Sequence, residues 1–336
     1  MSAAVGIHDV ARLAGVSIST ASRALNRTGR VSSATIKKVS DVAAKLGYQP
    51  NAIARTMRSN QSHAVGIIVS DISNPFYGRL VKSVERRLSA QGYALFVASS
   101  NNDIATEVQL IRFFKSRRVD GLILGPCQTD SVAHVINEVR DISTVLFDRD
   151  GGQQLGAVKV DHYRGTTEAL EYLIGLGHRH IALMTPGSQI QPIRDRVQAY
   201  QDCLTAAGLA YDPSLICFAD SSMNFPTDQA ARMLARQDRP TAFLCLGTRI
   251  LAGVLAAMRS AKLSIPGNVS IVSIGDTEFS ELHSPSITAL AWDIRSLSDE
   301  ISAMLLTRMH NESPEVQSAV VDMRLIERES CAAPEA

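Results

Sequence analysis

Several side chains in the middle of the chain are of the types that carry acid–base or metal chemistry. They are Asp148, Asp161, His162, His178 and His180. The last two stand two residues apart and would share one face of a strand, but no third ligand follows at a metal-binding spacing. The chain contains no H-E-x-x-H, G-x-S-x-G, Walker A or G-x-G-x-x-G motif. We therefore interpret the histidines as surface and loop residues, and we expect no catalytic residues, no metal and no cofactor.

Polar residues also collect directly after apolar segments that have the length of strands. These positions are Ser70–Asp71, Ser99–Asn102, Asp148–Arg149, Asp161, Thr185 and Asp276. In open α/β sheets, ligands bind beyond the carboxyl ends of the strands. Strand ends are also polar merely because they cap the next helix, so we expect about half of these positions to do only that.

A third polar group lies near the N-terminus, in a segment predicted to be a helix from Ser17, its N-cap, to about Leu25. The outward residues of this helix are Ile18, Ser19, Ser22, Arg23 and Asn26. Small side chains allow close approach to a DNA duplex, and an arginine can bridge two acceptors of a guanine. This face therefore has the chemistry of a surface that reads base edges.

The segments around this helix predict a compact unit of three helices. An apolar stripe marks the preceding helix, which Gly15 ends in a sharp turn. The stripe consists of Val10, Leu13 and Ala14. A third helix is predicted from Ser32 or Ser33 to Leu46. Two short helices joined by a tight turn are the layout of a helix-turn-helix, although a purely structural bundle would show the same pattern.

The distribution of charge separates this unit from the rest of the chain. Residues 1–62 contain nine Lys and Arg against two Asp and Glu, a formal charge of +7. The remaining residues contain 25 basic and 31 acidic side chains, a formal charge of −6. A basic N-terminal segment on an otherwise acidic chain is typical of proteins that bind phosphate groups. The charge therefore favours nucleic-acid binding by residues 1–62 over a purely structural role.

The N-terminal segment resembles the headpiece of the lac-repressor (LacI/GalR) family of bacterial transcription regulators. The resemblance is carried by I-H-D-V-A-R-L-A-G-V-S-x-S-T-x-S-R-x-L-N at 7–26, R-V-S at 30–32, L-G-Y-x-P-N at 46–51 and A-R-T-M-R-S at 54–59. It implies a headpiece at residues 1–50 in which Ile18, Ser19 and Arg23 read base edges. Phosphate or supporting contacts are implied for three further residues, with Ser17 as the helix cap. They are Thr20, Ser22 and Asn26.

Residues 51–62 link the headpiece to the body. Their composition alone favours a flexible tether, because the helix they predict is too short to be stable by itself. The resemblance implies instead a hinge helix, containing Ala54 and Met57, that folds only on operator DNA and enters the minor groove. Met57 stands where the family usually has a leucine wedge, and its side chain is long enough to insert between base pairs.

Residues 63–328 alternate strand-like apolar runs with amphipathic segments, which predicts repeated βαβ units and parallel sheets. The predicted strands are 64–69, 94–98, 121–124, 144–147, 158–160, 180–184, 242–246, 270–274 and 288–292. The number of predicted strands favours two sheets with a cleft between them. The resemblance continues through V-G-I-I-V-S-D-I-S-N-P-F-Y at 65–77, V-D-G-L-I-L at 119–124 and L-G-H-R-H-I-A-L at 176–183. It implies a two-lobed α/β sensor domain of the periplasmic-binding-protein type I fold. Lobe 1 would cover about 63–160 and 291–328, and lobe 2 about 161–290.

The resemblance also implies an effector cleft. Its residues would be Phe76, Tyr77, Asp148, Arg196 and Asp276. The chemistry of these side chains suits a sugar, because a carboxylate can accept hydrogen bonds from two hydroxyls and an aromatic ring can cover an apolar ring face. An arginine can hold a carboxylate, a phosphate or a hydroxyl pair in its planar fork.

Departures from the family's pattern lie in the second lobe. Gly247-Thr248-Arg249 stands where the family often has Asn-Asp, and S-I-G-D-T-E-F at 273–279 stands where many members have G-F-D-D. Trp292, the only tryptophan, ends a strand that should border the cleft. We therefore add Thr248 and Trp292 to the expected effector contacts. Arginines at 149, 196 and 249 favour an acidic sugar or another anionic effector.

Together these patterns indicate a sequence-specific DNA-binding transcription regulator, and repression is the favoured interpretation. Its affinity for the operator is expected to depend on a small effector that resembles a sugar or a sugar acid. We expect a homodimer on a palindromic operator, because one helix-turn-helix reads only a half-site. Release of DNA by the effector is the preferred logic, and dependence on a corepressor is the alternative. A solute-binding protein would share the body fold, but it would carry a signal peptide and lack the headpiece.

Length and composition agree with a cytoplasmic globular protein. The 336 residues exceed one ordinary domain, and a hydrophobic content of 45% with 20% charged residues is not that of a disordered chain. We find no signal-peptide pattern and no apolar run of membrane-spanning length. The five cysteines are scattered and form no C-x-x-C motif, which indicates reduced thiols.

Overall fold

The structure is a computed structural model that describes residues 5–26, 28–48, 61–127, 132–187, 190–219, 227–310 and 316–335. The chain divides into two compact units, Met1–Ser62 and His63–Ala336. The predicted hinge contacts Ala54 and Met57 lie outside the described residues. Within the described residues, no helix is long and apolar enough to cross a membrane. All five cysteines are free thiols, as their spacing predicts.

The described part of the first unit contains three helices. They are α1 (Ile7–Ala14), α2 (Ile18–Asn26) and α3 (Ser33–Lys45). Gly15 has a φ of 63°, the left-handed backbone that lets α1 end in a tight turn. The Ser17 hydroxyl accepts a hydrogen bond from Thr20 N at 3.1 Å, and the Ser32 hydroxyl accepts one from Thr35 N at 3.2 Å. Both predicted helix caps are therefore confirmed.

The core of this unit consists of small and β-branched side chains, so the helices approach one another closely. Its most deeply buried members are Val10, Ala14, Ala21, Ala24 and Val39. Leu13, which the apolar stripe of α1 placed inside, is 59% exposed, so that prediction was wrong. Ala11 takes the inward position instead, because the other two helices pack on the side of α1 that carries Val10, Ala11 and Ala14.

Among the described residues, the second unit forms two six-stranded sheets, one in each lobe. The first sheet consists of β1 (Ala64–Val69), β2 (Ala94–Ser99), β3 (Gly121–Leu124), β4 (Ser143–Phe147), β5 (Gly156–Val160) and β11 (Ser318–Val321). The second consists of β6 (Ile181–Pro186), β7 (Ile216–Ala219), β8 (Ala242–Leu246), β9 (Ser270–Ile274), β10 (Thr288–Trp292) and β12 (Met323–Ile326).

The first sheet has the strand order β11-β5-β4-β3-β1-β2 and is parallel throughout. The second has the order β12-β10-β9-β8-β6-β7 and is parallel except for β12, which runs antiparallel to β10. All residues of β1 and β9 are buried, as expected for strands covered on both faces. The predicted α/β class with parallel sheets is therefore confirmed.

Helices cover these sheets. They are α4 (Pro75–Ala90), α5 (Ile104–Ser116), α6 (Val132–Glu138), α7 (His162–Gly175), α8 (Gln191–Ala206), α9 (Thr227–Leu234), α10 (Thr248–Ala261), α11 (Glu278–Leu282) and α12 (Ile294–Met309). Helix α4 buries Leu80, Val84 and Leu88 completely. Fully burying such a side chain stabilises the fold by about 1.5–3 kcal/mol. The first turn of α4 is thereby held firmly at the edge of the cleft.

The chain passes between the lobes after β5, after β10 and after β11, which changes the predicted lobe boundaries. We expected residues 291–328 in the first lobe. Helix α12 and β11 do lie there, but the end of β10 and all of β12 belong to the second sheet. The reason is that β12 pairs with β10, with Trp292 opposite Met323. The following residues stay on the second lobe, where the Ser330 hydroxyl donates to Ile271 O at 2.6 Å.

Candidate functional sites

The outward face of α2 presents the predicted DNA-reading side chains to solvent. Exposed on it are Ser17, Ile18, Ser19, Arg23 and Asn26, while Thr20 and Ser22 are half-buried. Ile18 is 41% exposed although it is apolar. The Ser17 hydroxyl lies 2.9 Å from that of Ser19 and 2.9 Å from that of Thr20. The face thus combines hydroxyls, a guanidinium and an apolar side chain, the groups that contact phosphates, guanine edges and thymine methyls.

In the second unit, a cavity of about 470 Å³ lies beyond the carboxyl ends of the strands of both sheets. All of the predicted effector contacts lie in its wall. They are Phe76, Tyr77, Asp148, Arg196, Thr248, Asp276 and Trp292. The volume falls in the range of small-molecule sites, about 300–1,000 Å³. The two lobes therefore build one site from residues that are far apart in the sequence.

Part of the wall is aromatic. The ring centroids of Phe76 and Trp292 lie 4.6 Å apart, and those of Phe76 and Tyr77 lie 5.0 Å apart. Phe76 opens α4 in the first lobe and Trp292 ends β10 in the second, so the first contact crosses the cleft. Gly275 makes room for the indole, since a Cβ there would come within 2.7 Å of a Trp292 ring carbon. These rings form an apolar platform for the face of a ligand ring.

Asp148 and Arg196 are joined through a histidine. His162 Nε2 lies 2.5 Å from Asp148 Oδ1, and Arg196 Nη2 lies 2.6 Å from His162 Nδ1. Because a guanidinium can only donate, Nδ1 is the acceptor and Nε2–H donates to Asp148. Asp148 follows β4 in the first lobe, whereas Arg196 belongs to α8 in the second. The three side chains form a continuous hydrogen-bonded chain between the lobes.

Burial and neighbouring charges set the protonation of this chain. Burial raises the pKa of Asp148, but His162, Arg149 and Arg196 outweigh burial and leave the pKa below its usual value. Burial, together with repulsion from Arg196, lowers the pKa of His162. Burial lowers the pKa of Arg196 to about 10, so this guanidinium stays charged at neutral pH. The arrangement at neutral pH is therefore carboxylate, neutral imidazole and guanidinium.

Asp148 also has an unusual backbone. Its φ is 56°, and the wall residue Asn102 has a φ of 57°. The left-handed conformation costs most residues other than glycine about 1–2 kcal/mol, and aspartate and asparagine adopt it more readily than the others. Asp148 is held in it by the bond from its own N to Val158 O at 2.8 Å and by the bond from His162. Strained residues of this kind cluster at ligand sites, where the surrounding contacts fix them.

Arginines at the rim of the cavity also join the lobes. Arg249, at the start of α10, donates from Nη1 to Asp71 Oδ2 at 2.9 Å and from Nη2 to the hydroxyl of Ser73. From the first lobe, Arg79 donates to the carbonyl oxygen of Asp276 at 2.6 Å. Burial raises the pKa of Asp71, but hydrogen bonds from Ser73 and Arg249 outweigh it and lower the pKa. The closed arrangement of the lobes thus rests on ionic and hydrogen-bonded contacts around the cavity.

Asp276 and Thr248 occupy different environments within the wall. Arg328 donates to Asp276 through Nη1 at 2.8 Å and Nη2 at 3.1 Å, a bidentate pair that uses both carboxylate oxygens. Any hydrogen bond from an effector to this carboxylate would share those oxygens with Arg328. Thr248 opens α10 directly after Gly247, whose φ of 84° makes the turn from β8.

The expectation that the histidines lie at the surface was wrong for two of them. His162 and His178 are 3% and 1% exposed, whereas His180 is exposed as expected. The His178 ring nitrogens lie 2.8 Å from Thr241 Oγ1 and 3.0 Å from Ser270 Oγ. Burial is tolerated because protein hydrogen bonds replace those to water. Asp161 is a helix cap, since its carboxylate accepts from Arg164 N at 2.9 Å.

Sequence reasoning missed the roles of several ionisable residues near the cavity, including His162, which it named but placed at the surface. They are Arg79 and Arg324 in the wall, Arg328 behind Asp276, and His162 beneath Asp148. A signal existed for Arg79, which follows Phe76 by three residues on the same helix. A signal also existed for His162, which is the second residue after β5 and follows the helix cap Asp161. Arg328 offered none, because it follows a strand that the pattern did not predict.

Family models match both units of the chain. The model for bacterial regulatory proteins of the lacI family matches residues 6–51, and the model for a periplasmic-binding-protein-like domain matches residues 170–331. The HTH-type transcriptional regulator RegA of Clostridium saccharobutylicum is 31% identical over 330 residues, 97% of this chain and 99% of that protein. The chain belongs to the lacI family. It is a DNA-binding transcription regulator with a helix-turn-helix domain and a two-lobed sensor domain.

Similarity to other lacI-family proteins extends along the whole chain. The ribose operon repressor of Escherichia coli K12 is 29% identical, over 96% of this chain and 98% of its own length. The crystal structure of the lac repressor dimer bound to operator and an anti-inducer superposes with a TM-score of 0.88. That match has 25% identity and covers 98% of this chain and 100% of the repressor chain. The predicted fold class and family are therefore confirmed.

Proposed function

We propose that this chain represses transcription by binding operator DNA through α2, and that a small molecule in the cleft controls this binding. The observation that carries the proposal is the cavity, whose wall combines the expected effector contacts of both lobes. A ligand there touches both lobes at once. Its binding free energy then depends on the angle between them, which is the requirement for a ligand to shift the conformation.

The outward face of α2 supplies the reading surface. Its hydroxyls set the register by contacting phosphates, Arg23 discriminates guanine, and Ile18 contacts a thymine methyl. The formal charge of +7 on residues 1–62 adds attraction to any duplex. Ala54 and Met57 complete the contacts in the minor groove, with Met57 as the wedge.

The reading units act in pairs. A two-fold dimer matches a palindromic operator, and one α2 helix enters the major groove of each half-site. The solved lac repressor complex is a dimer on its operator, which supports the same assembly for this chain. Operator DNA lies in the bacterial cytoplasm, so this is where the dimer would act.

The charges of the wall support an effector with an acidic group, such as a sugar acid. Among the described residues, the wall contains five arginines and three aspartates. The aspartates already have cationic partners, namely Arg249 for Asp71, Arg149 for Asp148 and Arg328 for Asp276. An anionic ligand would balance the remaining positive charge and use the planar fork of an arginine.

Arg196 is the best placed of these cations. Its Nη1 donates to Pro192 O at 2.9 Å and its Nη2 donates to His162. Its Nε is buried and has no hydrogen-bond partner among the described residues. A buried donor without a partner costs about 1–3 kcal/mol, so a carboxylate or hydroxyl that reached it after a small movement of the side chain would recover part of that cost.

A regulatory role is proposed in place of a catalytic one. Among the described residues, His162 and His178 are the buried histidines with the chemistry of a general base, but each has both ring nitrogens engaged within the protein. Neither ring is therefore positioned to exchange a proton with a substrate.

A ligand screen followed by DNA selection tests the proposal. The full-length protein is screened by thermal shift against sugars, sugar acids, sugar phosphates and purines, and each hit is added to a selection of genomic DNA fragments. We expect a sugar acid to raise the Tm and to release a fragment that contains a palindrome. A hit that tightens DNA binding would instead establish a corepressor. Stabilisation by neutral sugars alone would contradict the acidic class, and a selection without sequence enrichment would contradict operator binding.

A further inference from the structure

His162 is the residue through which the two lobes share a buried hydrogen-bond chain. It opens α7, where the chain has just passed from the first lobe to the second. One ring nitrogen contacts Asp148 of the first lobe at 2.5 Å, and the other contacts Arg196 of the second lobe at 2.6 Å. The ring is 3% exposed and is therefore largely shielded from solvent.

The charged and titratable groups around the ring come from three neighbouring elements. The loop after β4 supplies Asp148 and Arg149, α8 supplies Asp195 and Arg196, and α4 supplies Tyr77 next to the same ions. Arg196 lies directly against the ring, so a second positive charge on the ring would be repelled. Asp148 and Asp195 favour a protonated ring, but burial and Arg196 outweigh them, so the ring is neutral with Nδ1 as acceptor.

We propose that His162 is a positioning residue of the cleft: its neutral ring joins Asp148 to Arg196 and holds the lobes together, whereas its protonation separates them. The inference rests on the proposed function, since Asp148 and Arg196 are proposed effector contacts. A proton from the solvent would bind at Nδ1, which now accepts from Arg196 Nη2 at 2.6 Å. Two donors and two positive charges would then meet, so Arg196 and α8 have to move away.

The direction of the pH dependence follows from burial. Burial and the charge of Arg196 lower the pKa of His162 below its ordinary value of 6.5. The ring is therefore neutral at pH 7 and becomes protonated in the folded protein only at a pH below the ordinary value. The unfolded chain takes up the proton at a higher pH. The contribution of His162 to stability is thus complete above pH 6.5 and is lost as the pH falls towards the lowered pKa.

Trp292 reports on the cleft without any ligand or DNA. It is the only tryptophan, and its ring contacts Phe76 across the lobes at 4.6 Å. We would follow its emission in the full-length protein while the pH is lowered from about 8 to about 5. Separation of the lobes exposes the indole, so we expect a shift to longer wavelength with a midpoint below 6.5.

Two substitutions decide whether His162 causes the shift. His162→Gln keeps one acceptor and a donor in the amide but does not titrate, so the shift should disappear while the emission at neutral pH is retained. His178→Gln is the control, because His178 is also buried with a lowered pKa but contacts only the second lobe. A wild-type shift in His162→Gln, or its loss in His178→Gln, would overturn the proposal.

The tautomer of His162 provides a second measurement that needs no variant. Nitrogen NMR of the histidine rings in the wild-type protein should show a proton on Nε2 and none on Nδ1 at neutral pH. A proton on Nδ1 at that pH would also overturn the proposal. Neither measurement involves ligand or operator, so failure of the proposed regulatory function would leave both results standing and would be recognised separately.

Discussion

Arg23 is the side chain on which sequence recognition by α2 depends most. We expect Arg23→Ala to weaken operator binding by about 1–3 kcal/mol and to relax the preference at one base pair of each half-site. Arg12→Ala is the matched control, since Arg12 lies on α1, pairs with Asp9 at 2.8 Å and carries the same charge. Fluorescence anisotropy with operator and scrambled duplexes separates the two effects. Equal losses in both variants would remove Arg23 from the reading surface.

Arg249 holds the rim of the cleft through Asp71 and Ser73. Because the pair is partly exposed, we expect Arg249→Ala to cost only about 0.2–1 kcal/mol of unfolding free energy. The lobes should nevertheless separate more easily, which shifts Trp292 emission to longer wavelength in the ligand-free protein. Arg112→Ala removes an ion pair with Glu138 at 2.6 Å, within the first lobe only. A shift in this control as large as that in Arg249→Ala would contradict the cross-lobe role.

At this scale, the sequence predicted residues whose role depends on their place in an element. Asp148 and Trp292 border the cavity because they stand at the ends of strands. Such ends can be located from the sequence, because each apolar run stops there. His162 and Arg328 were missed because their roles come from partners 34 and 52 residues away. Asp276 was placed correctly in the wall, but its pairing with Arg328 depends on the same long-range contact.

The turn between β9 and α11 shapes the cleft through a residue without a side chain. Gly275 has a φ of 112°, and a Cβ there would approach the Trp292 ring to 2.7 Å. We expect Gly275→Ala to lower the unfolding free energy by about 1–3 kcal/mol and to change Trp292 emission. Gly187, also in the wall, has nothing within 4 Å of its added Cβ, so Gly187→Ala should change neither. Both variants are unfolded while circular dichroism and fluorescence are recorded. A Gly275→Ala protein with the unfolding free energy and Trp292 emission of the wild type would contradict the prediction.

Elements were predicted well where they lie inside a sheet. The bounds predicted for β1, β3, β8, β9 and β10 agree with the structure. The strands that the pattern missed are β7, β11 and β12, and each lies at the edge of its sheet. An edge strand buries less of its surface, and β11 has only Val321 buried. The apolar runs of β11 and β12 are shortened by Ser318 and Arg324, which is the physical reason that the pattern failed there, and the lobe boundary failed with it. Strand β7 is apolar but has only four residues.

At the scale of the whole molecule, charge and chemistry are divided between the two units. Residues 1–62 carry a formal charge of +7, and the remainder carries −6 and surrounds the cavity. Sequence patterns predicted this division because charge and resemblance are properties of long segments. The identity of the effector could not be predicted in the same way, because it depends on distances within the cavity. A single ion pair there determines which side chains remain available to bind a ligand.

The control of operator affinity by the cleft is the central claim, and one titration tests it most directly. A labelled operator duplex from the genomic selection is titrated with full-length protein, with and without the sugar acid that raises its Tm. We predict a change in affinity of about 5- to 150-fold in the wild type. Asp148→Asn keeps a side-chain oxygen that accepts from His162 Nε2–H, so it should still bind the operator, but without the carboxylate it should show no response to the ligand. Equal operator affinity with and without the ligand in the wild type would contradict the account.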